Sequence, residues 1–291
     1  MALTDLAVVS EQVQKVWAPL FAQELRESLL LASLVNKDYE GQIKQHNDTV
    51  YVSMIKKANG ELKTVGVDAD TFDSEQMQTV RVAVQANKVA SASFEIASLA
   101  ELQSQIGMPD AQNKLREALR FGVEKQVNDY LWSIINPSTS APDHLLTGIA
   151  TMDATQLAAN RKLAAQAKWP KDGQWYGLLD PDYYTQILQA QTLTSQDYVD
   201  DQPVVGGQIA NRRFGFNLLE DDSRGAKKGL FFHPDFMYYV AQTEPTFKVS
   251  DLHAMKKRGY LISVDLVFGA GLGIEGSSKH IYNTNGASLD P

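Results

Sequence analysis

The sequence predicts an α+β fold in which one domain is interrupted by the insertion of another. Three observations predict it: one very long amphipathic segment, two short alternating strands joined by a long polar connection, and a strand near the carboxyl terminus with no domain of its own to join. That closing strand needs the sheet of an earlier domain. The material between the long helix and the closing strand is therefore the insertion.

Residues Pro109 to Ile135 predict one long helix, which we call the spine helix. The face of this helix opposite its apolar stripe carries charges of both signs, among them Arg116 and Arg120. Asn136-Pro137 ends it, because proline cannot donate the next backbone hydrogen bond. Apolar or small side chains recur at intervals of three and four, which places them on one face; they are Ala111, Leu115, Ala118, Leu119, Gly122, Val123, Val127, Tyr130, Leu131 and Ile134.

A second amphipathic segment comes first in the chain, from about Ser10 to Leu31. Its apolar side includes Val13, Trp17 and Leu20. It precedes any obvious domain, so its apolar stripe is buried either against the body of the same subunit or against another subunit. The sequence leaves both possibilities open.

Two alternating segments then predict a pair of strands. Val50, Val52 and Met54 alternate with more polar residues, and the segment Thr79–Gln85 shows the same period of two. The connection between them, residues 56–78, is mostly polar. A connection of this length is usually functional in a compact domain. An extended hairpin that packs on a neighbour explains it, and a surface hairpin without such contacts is the alternative.

The insertion alternates helices and strands. Its predicted elements are a helix at Asp153–Lys168, a strand at Trp175–Leu179, a helix capped by Asp180-Pro181, strands at Gln208–Leu219 and Gly229–Phe232, and a short helix from His233 through Val240. The closing strand, Tyr260–Ala270, is expected to return to the sheet beside the spine helix.

Composition excludes several classes of protein. The chain has 291 residues, 44% of them hydrophobic and 21% charged, which is typical of a globular protein. Its net charge of −8 argues against a protein whose main task is to grip nucleic acid, although it allows one that encloses nucleic acid without binding it tightly. The chain has no cysteine, so disulfides and thiolate sites are excluded. The apolar runs are too short for a membrane span.

No motif points to catalysis, a cofactor or a metal. Tyr198-Val199-Asp200-Asp201 matches the metal-binding core of reverse transcriptases over four residues only, in a polar loop. A hard cation could bind Asp68, Asp70 and Asp73, but this segment lacks the glycine and the terminal glutamate of a calcium loop. The glycines of residues 269–273 have the wrong spacing for a dinucleotide site and instead favour a bend or a close approach of a neighbour. We therefore expect no catalytic, cofactor-binding or metal-binding residues.

The order of these pieces resembles the tailed-bacteriophage major capsid proteins of the Hong Kong 97 fold. The resemblance covers nearly the whole chain as an arrangement of elements rather than as a sharp motif. The segments that carry it are the arm followed by Leu34-Val35-Asn36-Lys37-Asp38-Tyr39-Glu40-Gly41, Asn47-Asp48-Thr49-Val50-Tyr51-Val52, the spine helix, Leu179-Asp180-Pro181-Asp182-Tyr183-Tyr184, Gly207-Gln208-Ile209 followed by Arg213-Phe214-Gly215-Phe216, and the closing strand.

The resemblance implies a division of the chain. It gives an N-terminal arm at residues 1–36, an extended E-loop hairpin at residues 37–92, and an inserted A-domain at residues 141–256. The P-domain is discontinuous, at residues 93–140 and 257–291, with the spine helix at about 109–135. The fold class is then an α+β, HK-97-like capsid fold.

The resemblance also implies a function. The chain would be a non-enzymatic coat protein that assembles with itself, as hexamers and pentamers, into the icosahedral head shell of a tailed double-stranded DNA phage. It would enclose the genome without sequence-specific binding and without a membrane. Its other partners would be scaffold, portal and decoration or cement proteins. Its place would be the virion capsid, after assembly in the host cytoplasm.

The same resemblance suggests where subunits touch. The expected contact residues are Asn59, Gly60, Gly66, Asp68, Asp70 and Asp73 in the E-loop, Val13, Trp17 and Leu20 in the arm, and Arg116 and Arg120 on the spine helix. Two alternatives stay open: an encapsulin-type nanocompartment shell, which shares the fold, and a cytosolic α/β enzyme with an unrecognised site. The long arm helix favours the phage protein, and a pocket containing Asp200 or Asp201 would favour the enzyme.

Overall fold

The structure is a computed structural model that describes residues 26–27, 29–39, 49–58, 76–97, 109–135, 144–194, 204–205, 208–209, 212–241, 246–253 and 257–286. Its helices are α1 (Leu31–Leu34), α2 (Pro109–Ile135, the spine helix), α3 (Ala154–Gln166), α4 (Pro181–Gln189) and α5 (Gln191–Thr194). Its strands are β1 (Thr49–Ile55), β2 (Thr79–Gln85), β3 (Lys88–Ala97), β4 (His144–Leu146), β5 (Tyr176–Leu179), β6 (Val204–Val205), β7 (Gln208–Ile209), β8 (Asn217–Glu220), β9 (Lys228–Phe232), β10 (Met237–Ala241), β11 (Thr246–Asp251), β12 (Gly259–Leu272) and β13 (His280–Thr284).

Backbone contacts divide the chain into two units, and the spine helix and β12 contribute residues to both. Among the described residues, the first unit holds 92–97, 109–121, 247–253 and 257–264. The second unit holds the remaining described residues and contains most of the buried side chains.

A mixed five-stranded sheet in the second unit has the order β4-β13-β9-β5-β8. The outer pairs β4–β13 and β5–β8 are parallel, and the inner pairs are antiparallel. Helices α3 and α4 bury Leu157, Tyr183 and Ile187 in its core. Trp175 and Phe216 complete this core, with ring centroids 5.5 Å apart. Aromatic pairs at this separation add stability beyond the area that they bury.

The second sheet is built around the long strand β12. Strand β10 pairs with its end in antiparallel register, from Met237 opposite Leu272 to Ala241 opposite Phe268. Strands β11 and β3 also pair with β12. Asn36, just after α1, forms an isolated parallel bridge with Tyr238, so the chain that follows the predicted arm is attached to β10.

The predicted hairpin is confirmed at its base. β1 and β2 pair in antiparallel register, from Thr49 opposite Gln85 to Ile55 opposite Thr79. Val50, Val52 and Met54 of β1 share one face, as the period-two pattern predicts. That face packs against Tyr238 and Val240 of β10.

The starts of α3 and α4 are set by side-chain caps. The Asp153 carboxylate accepts a hydrogen bond from the Gln156 amide at 2.9 Å. Asp180 accepts one from the Tyr183 amide at 3.1 Å, and Pro181 occupies the first turn. Each carboxylate satisfies a backbone N–H group that has no partner within its helix. Both helices were predicted, and the cap of α4 by Asp180-Pro181 was predicted with it.

Two predicted elements and the end of a third are wrong. Residues 237–240 form strand β10 and not a helix, because all five side chains of β10 are buried in its pairing with β12. The predicted strand Gln208–Leu219 is broken, since Phe214 and Gly215 have positive φ and reverse the chain between Arg213 and Phe216. The predicted arm helix, from about Ser10 to Leu31, lies mostly outside the described residues. Its end is wrong, because residues 26, 27, 29 and 30 are not helical and the short helix α1 buries Leu31 instead.

The boundaries between the implied A-domain and P-domain stay predictions. Sheet pairing runs across them, however. β13 lies in the residues assigned to the P-domain but pairs with β4 and β9 of the insertion. β10 lies in the insertion but pairs with β12. The pattern of the sequence did not predict β3, β11 or β13.

Candidate functional site

The outer face of the β1–β2 hairpin exposes large apolar side chains. Tyr51 is 60% exposed and Ile55 is 65% exposed, while Met77, just before β2, is 73% exposed. Val52 and Val84, on the opposite face, are buried. The hairpin is therefore fixed to the second unit by one face and presents the other face to solvent. Exposed apolar patches of this kind are typical of protein contact sites.

Cationic side chains lie around this outer face. The Arg81 guanidinium lies 5.3 Å from the centre of the Tyr51 ring, a cation–π contact that holds the ring in place. Lys56 and Lys57 are exposed where β1 ends. An open groove there is lined by Met54, Ile55, Lys56, Lys57, Ala58, Gln76, Met77, Gln78 and Glu275. An apolar floor with a cationic rim suits a protein surface better than a small polar substrate.

The first unit has an exposed apolar surface of its own. Phe247 and Val249 of β11 are 44% and 70% exposed, and Phe94 of β3 is 41% exposed. Glu95 of β3 accepts hydrogen bonds from the Lys257 ammonium at 2.8 and 3.0 Å. This ion pair joins β3 to the chain that leads into β12.

Arg116 and Arg120 of the spine helix are exposed, as the pattern predicts. Farther along the helix, Val123, Val127 and Leu131 are buried on the predicted apolar face. Whether the two arginines meet another subunit stays a prediction. The other expected contact residues, Asn59, Gly60, Gly66, Asp68, Asp70, Asp73, Val13, Trp17 and Leu20, lie outside the described residues, as does Tyr198-Val199-Asp200-Asp201.

The hydrogen bonds of the buried histidines are those of structural residues. His233 is paired through Nε2 with the Asp172 carboxylate at 2.9 Å, and its Nδ1 accepts from the Asp235 amide at 3.3 Å. His280 is buried with Nδ1 2.7 Å from the Gly276 carbonyl oxygen. Among the described residues there is no group of three or more His, Asp or Glu side chains that could hold a metal ion. The hydrogen bonds of His233 and His280 instead join turns to neighbouring strands.

Several buried titratable groups also serve the fold. Burial raises the pKa of the Asp180 carboxyl, although backbone hydrogen bonds from Lys227 and Tyr183 partly offset it. Burial also raises the pKa of Tyr238 and of Tyr282 to about 12, so both phenols are neutral at ordinary pH. The pKa of the Asp172 carboxyl is lowered, because hydrogen bonds from His233 and Gln174 outweigh its desolvation. None of these shifts creates an acid–base pair in a cleft.

The glycines near the end of β12 allow close approach of backbone, as their spacing suggests. A Cβ atom on Gly269 would overlap the carbonyl oxygen of Gln85, and one on Gly273 would overlap that of Asp235. Both neighbours are main chain and cannot rotate away.

No helix within the described part of the chain is long and apolar enough to cross a membrane.

Sequence reasoning missed most of the exposed apolar side chains. The alternation placed Tyr51 opposite the buried valines but gave no sign that it stays exposed, since aromatic residues in strands are usually covered. Phe247 and Val249 lie in a strand that the pattern did not predict. A short alternation, Phe247-Lys248-Val249-Ser250, was the available signal.

The class of fold follows from comparison with solved structures, all at low sequence identity. The chain shares its fold, over nearly its whole length, with structures from phages, some of which are described as capsids. It has the α+β, HK-97-like fold that its sequence predicts. Neither a protein-family model nor a curated protein sequence matches the chain.

Three particular structures illustrate the match. A structure from Mycobacterium phage Che8 has a TM-score of 0.74 at 16% identity, covering 97% of this chain and 98% of the other. The capsid structure of cyanophage P-SCSP1u has a TM-score of 0.72 at 12% identity, covering 94% and 93%. The capsid asymmetric unit of cyanophage Pam1 has a TM-score of 0.63 at 12% identity, covering 98% and 100%. In all three, the match covers more than nine-tenths of both chains.

Proposed function

We propose that this chain is the major capsid protein of a tailed double-stranded DNA phage, which assembles with itself into an icosahedral head shell. The observation that carries the proposal is the fold match over 97% of this chain and 98% of its neighbour. A fold can host many functions. Here the structures that share it include two described as phage capsids, which favours the phage shell over an enzyme-filled nanocompartment.

The surface of the described residues supports a subunit that needs neighbours. Tyr51, Ile55 and Met77 form one apolar patch, and Phe94, Phe247 and Val249 contribute a second. The two patches have different sequences, so contact between them is heterologous, and heterologous contacts generate rings when the rotation closes. Many modest contacts made simultaneously hold a closed shell together.

The finer parts of the proposal rest on the resemblance. The subunits form hexamers and pentamers, and residues 59–75 of the E-loop extend over a neighbouring subunit. Scaffold and portal proteins take part, and decoration or cement proteins join the shell. Assembly occurs in the host cytoplasm, and the product is the virion capsid. The net charge of −8 keeps enclosed DNA mobile, and the chain carries out no catalysis.

Expression of the chain alone, followed by size-exclusion chromatography and negative-stain electron microscopy, tests the proposal. We expect closed shells, tubes, or rings of five or six subunits. The content of purified particles then separates the two kinds of shell, since DNA indicates a phage capsid and a protein cargo indicates a nanocompartment. A compact small oligomer that persists at high concentration and tolerates Ile55→Ser and Val249→Ser would contradict the proposal.

A further inference from the structure

Cationic side chains gather in one part of the insertion. Residues 154–171 contain Arg161, Lys162, Lys168 and Lys171 and no Asp or Glu. Arg212 follows much later in the sequence, and the fold returns it to the same place. In a chain of net charge −8, such a local excess of cations creates a positive potential over one surface only.

The ring of Trp175, just before β5, organises this region. The Arg161 guanidinium lies 5.7 Å from the centre of the ring, and Arg161 Nη1 donates to the Phe214 carbonyl oxygen at 2.6 Å. Trp175 Nε1 donates to the Pro170 carbonyl oxygen at 2.6 Å, one residue before Lys171. One ring therefore brings together α3, the loop that carries Lys171 and the turn at residues 213–216.

The same turn adds Arg212. The Asn217 amide donates to the Trp175 carbonyl oxygen at 2.8 Å, and Arg212 Nε donates to Asn217 Oδ1 at 3.0 Å. The Arg212 guanidinium rests against Gly173, which is two residues from Lys171. We call the following five residues the cationic patch: Arg161, Lys162, Lys168, Lys171 and Arg212.

The cationic patch is exposed, and the described carboxylates do not neutralise it. All five of its residues are exposed, and none of them forms an ion pair with a described carboxylate. The acid nearest in sequence, Asp172, uses its carboxylate for hydrogen bonds with His233 and with the Gln174 amide. The patch therefore presents cations that are available to an anionic partner.

The composition of the patch fits a polyanion better than a protein. The centres of protein interfaces are depleted in lysine and enriched in large apolar side chains. Three of the five patch residues are lysines. Of the large apolar side chains that are exposed in the described chain, only Phe214, at 38%, belongs to the segments that form the patch. Contacts with a phosphate backbone use lysine and arginine and need no apolar centre.

We propose that the cationic patch binds the phosphate backbone of the nucleic acid that the shell encloses, so that this side of the insertion faces the interior. The inference rests on the proposed function and adds to it the partner and the direction of one surface. The contact does not depend on base sequence, because phosphates are the same at every position. Its strength falls with rising salt, since each phosphate that is bound releases counterions.

Binding to a short fluorescent DNA duplex, measured by anisotropy over a series of salt concentrations, tests the contact. The wild-type chain should bind duplexes of unrelated sequence equally well, and the logarithm of the binding constant should fall linearly with the logarithm of the salt concentration. Lys171→Gln with Arg212→Gln should reduce that slope by roughly two, about one for each cation removed, and weaken binding at low salt roughly tenfold or more.

Lys56→Gln with Lys57→Gln is the matched control, because it removes two exposed cations from the end of β1. It should leave the salt dependence of DNA binding unchanged. The same slope in the patch variant and in the control, or a wild-type chain that does not bind DNA at low salt, would overturn the proposal.

The absence of cysteine allows the direction of the patch to be tested in assembled particles. Lys171→Cys supplies a single thiol. In closed shells of this variant, a small maleimide should react, whereas a maleimide on a polymer too large to enter should react only after denaturant opens the shell. Reaction of the large reagent with intact shells would place the patch on the outside, and failure of the small reagent would place it between subunits. Either result would overturn the proposal.

Electron microscopy of the same variants separates this inference from the proposed function. Normal shells from a patch variant that binds DNA as the wild type does would overturn the DNA contact and leave the proposed function standing. A patch variant that binds DNA normally but forms no shells would assign the patch to contacts between subunits and overturn the proposal. A wild-type chain that stays monomeric at high concentration, and binds DNA through the patch, would contradict the proposed function and support the binding surface.

Discussion

Gly269, near the end of β12, allows a close approach of the backbone at Gln85 and Ala86. Gly269→Ala would place a Cβ against the Gln85 carbonyl and Ala86 Cα, neither of which can move without shifting β2. We expect the free energy of unfolding to fall by about 1–3 kcal/mol or more, the usual cost of overpacking. Gly271→Ala is the matched control, because its Cβ would meet Val84 Cγ2 at an ordinary 3.8 Å. Urea unfolding of both variants measures the difference, and equal losses would contradict this account.

Asp221 predicts a pH dependence of stability. Burial raises the pKa of its carboxyl, and the Ser223 hydrogen bonds and the Arg224 charge only partly offset this. The folded chain therefore binds a proton more readily than the unfolded chain, whose aspartates titrate near pH about 3.9. Stability should fall as the pH rises from that value through the folded pKa. Above the folded pKa, the carboxylate is charged in both states, and the full free-energy cost of burying that charge lowers stability.

Asp221→Asn should flatten the stability profile over this window, because the amide does not titrate. Its oxygen can still accept from the Ser223 amide, which donates to Asp221 Oδ1 at 2.9 Å. Urea unfolding from pH 3.5 to 7 measures the profile. The exposed neighbour Asp222→Asn serves as the control. A wild-type profile that does not fall with rising pH in this range, or the same slope in Asp221→Asn, would contradict the assignment.

At the residue scale, the sequence predicts helix caps better than it predicts which side chains are exposed to solvent. Asp180 was recognisable as a helix cap because capping needs only a carboxylate next to a helical pattern. The exposure of Tyr51 and Phe247 was not recognisable, because it depends on which strands cover which face. The placement of Arg161 and Arg212 at one turn was equally hidden. Arg161 and Arg212 are 51 positions apart in the sequence, and the turn at residues 213–216 brings them together.

At the scale of elements, the hairpin has two faces with different tasks. Val84 packs with Val52 and Tyr238 in a buried cluster. Val84→Ala should lower the free energy of unfolding by about 1–3 kcal/mol and speed hydrogen exchange in β1 and β2, since buried methyl groups are lost. Ile55→Ala, on the exposed face, should leave stability nearly unchanged and lower the yield of shells. Equal effects of the two substitutions on stability would contradict the two-faced hairpin.

The elements that the sequence predicted well are those that local pattern determines. The spine helix was predicted to its terminal residues, because a stripe over 27 residues and a following proline leave little freedom. β10 was predicted as a helix, because Met237-Tyr238-Tyr239-Val240 has no alternation to reveal a strand buried on both faces. Its pairing with β12, about thirty positions later, decides its structure. β13, whose five residues are all buried, was missed for the same reason.

At the scale of the whole molecule, the proposed shell depends on contacts between copies of the chain. Deleting residues 60–74 removes the connection beyond the hairpin base and leaves the β1–β2 register in place. We expect the subunit to fold, with a melting temperature within about 5 °C of the wild type, because surface loops contribute little to stability. We also expect closed shells to disappear, because the deleted connection is the proposed contact with a neighbouring subunit.

A second variant separates length from charge within the same connection. Asp68→Asn, Asp70→Asn and Asp73→Asn together keep the hairpin length and remove three carboxylates. If the connection acts by reaching over a neighbour, these substitutions should weaken assembly and change its salt dependence without abolishing it. Electron microscopy of particles at several salt concentrations measures both variants. Normal shells from the deletion variant would remove the E-loop from the assembly mechanism and leave the exposed apolar faces around Ile55 and Val249 as the contacts to test.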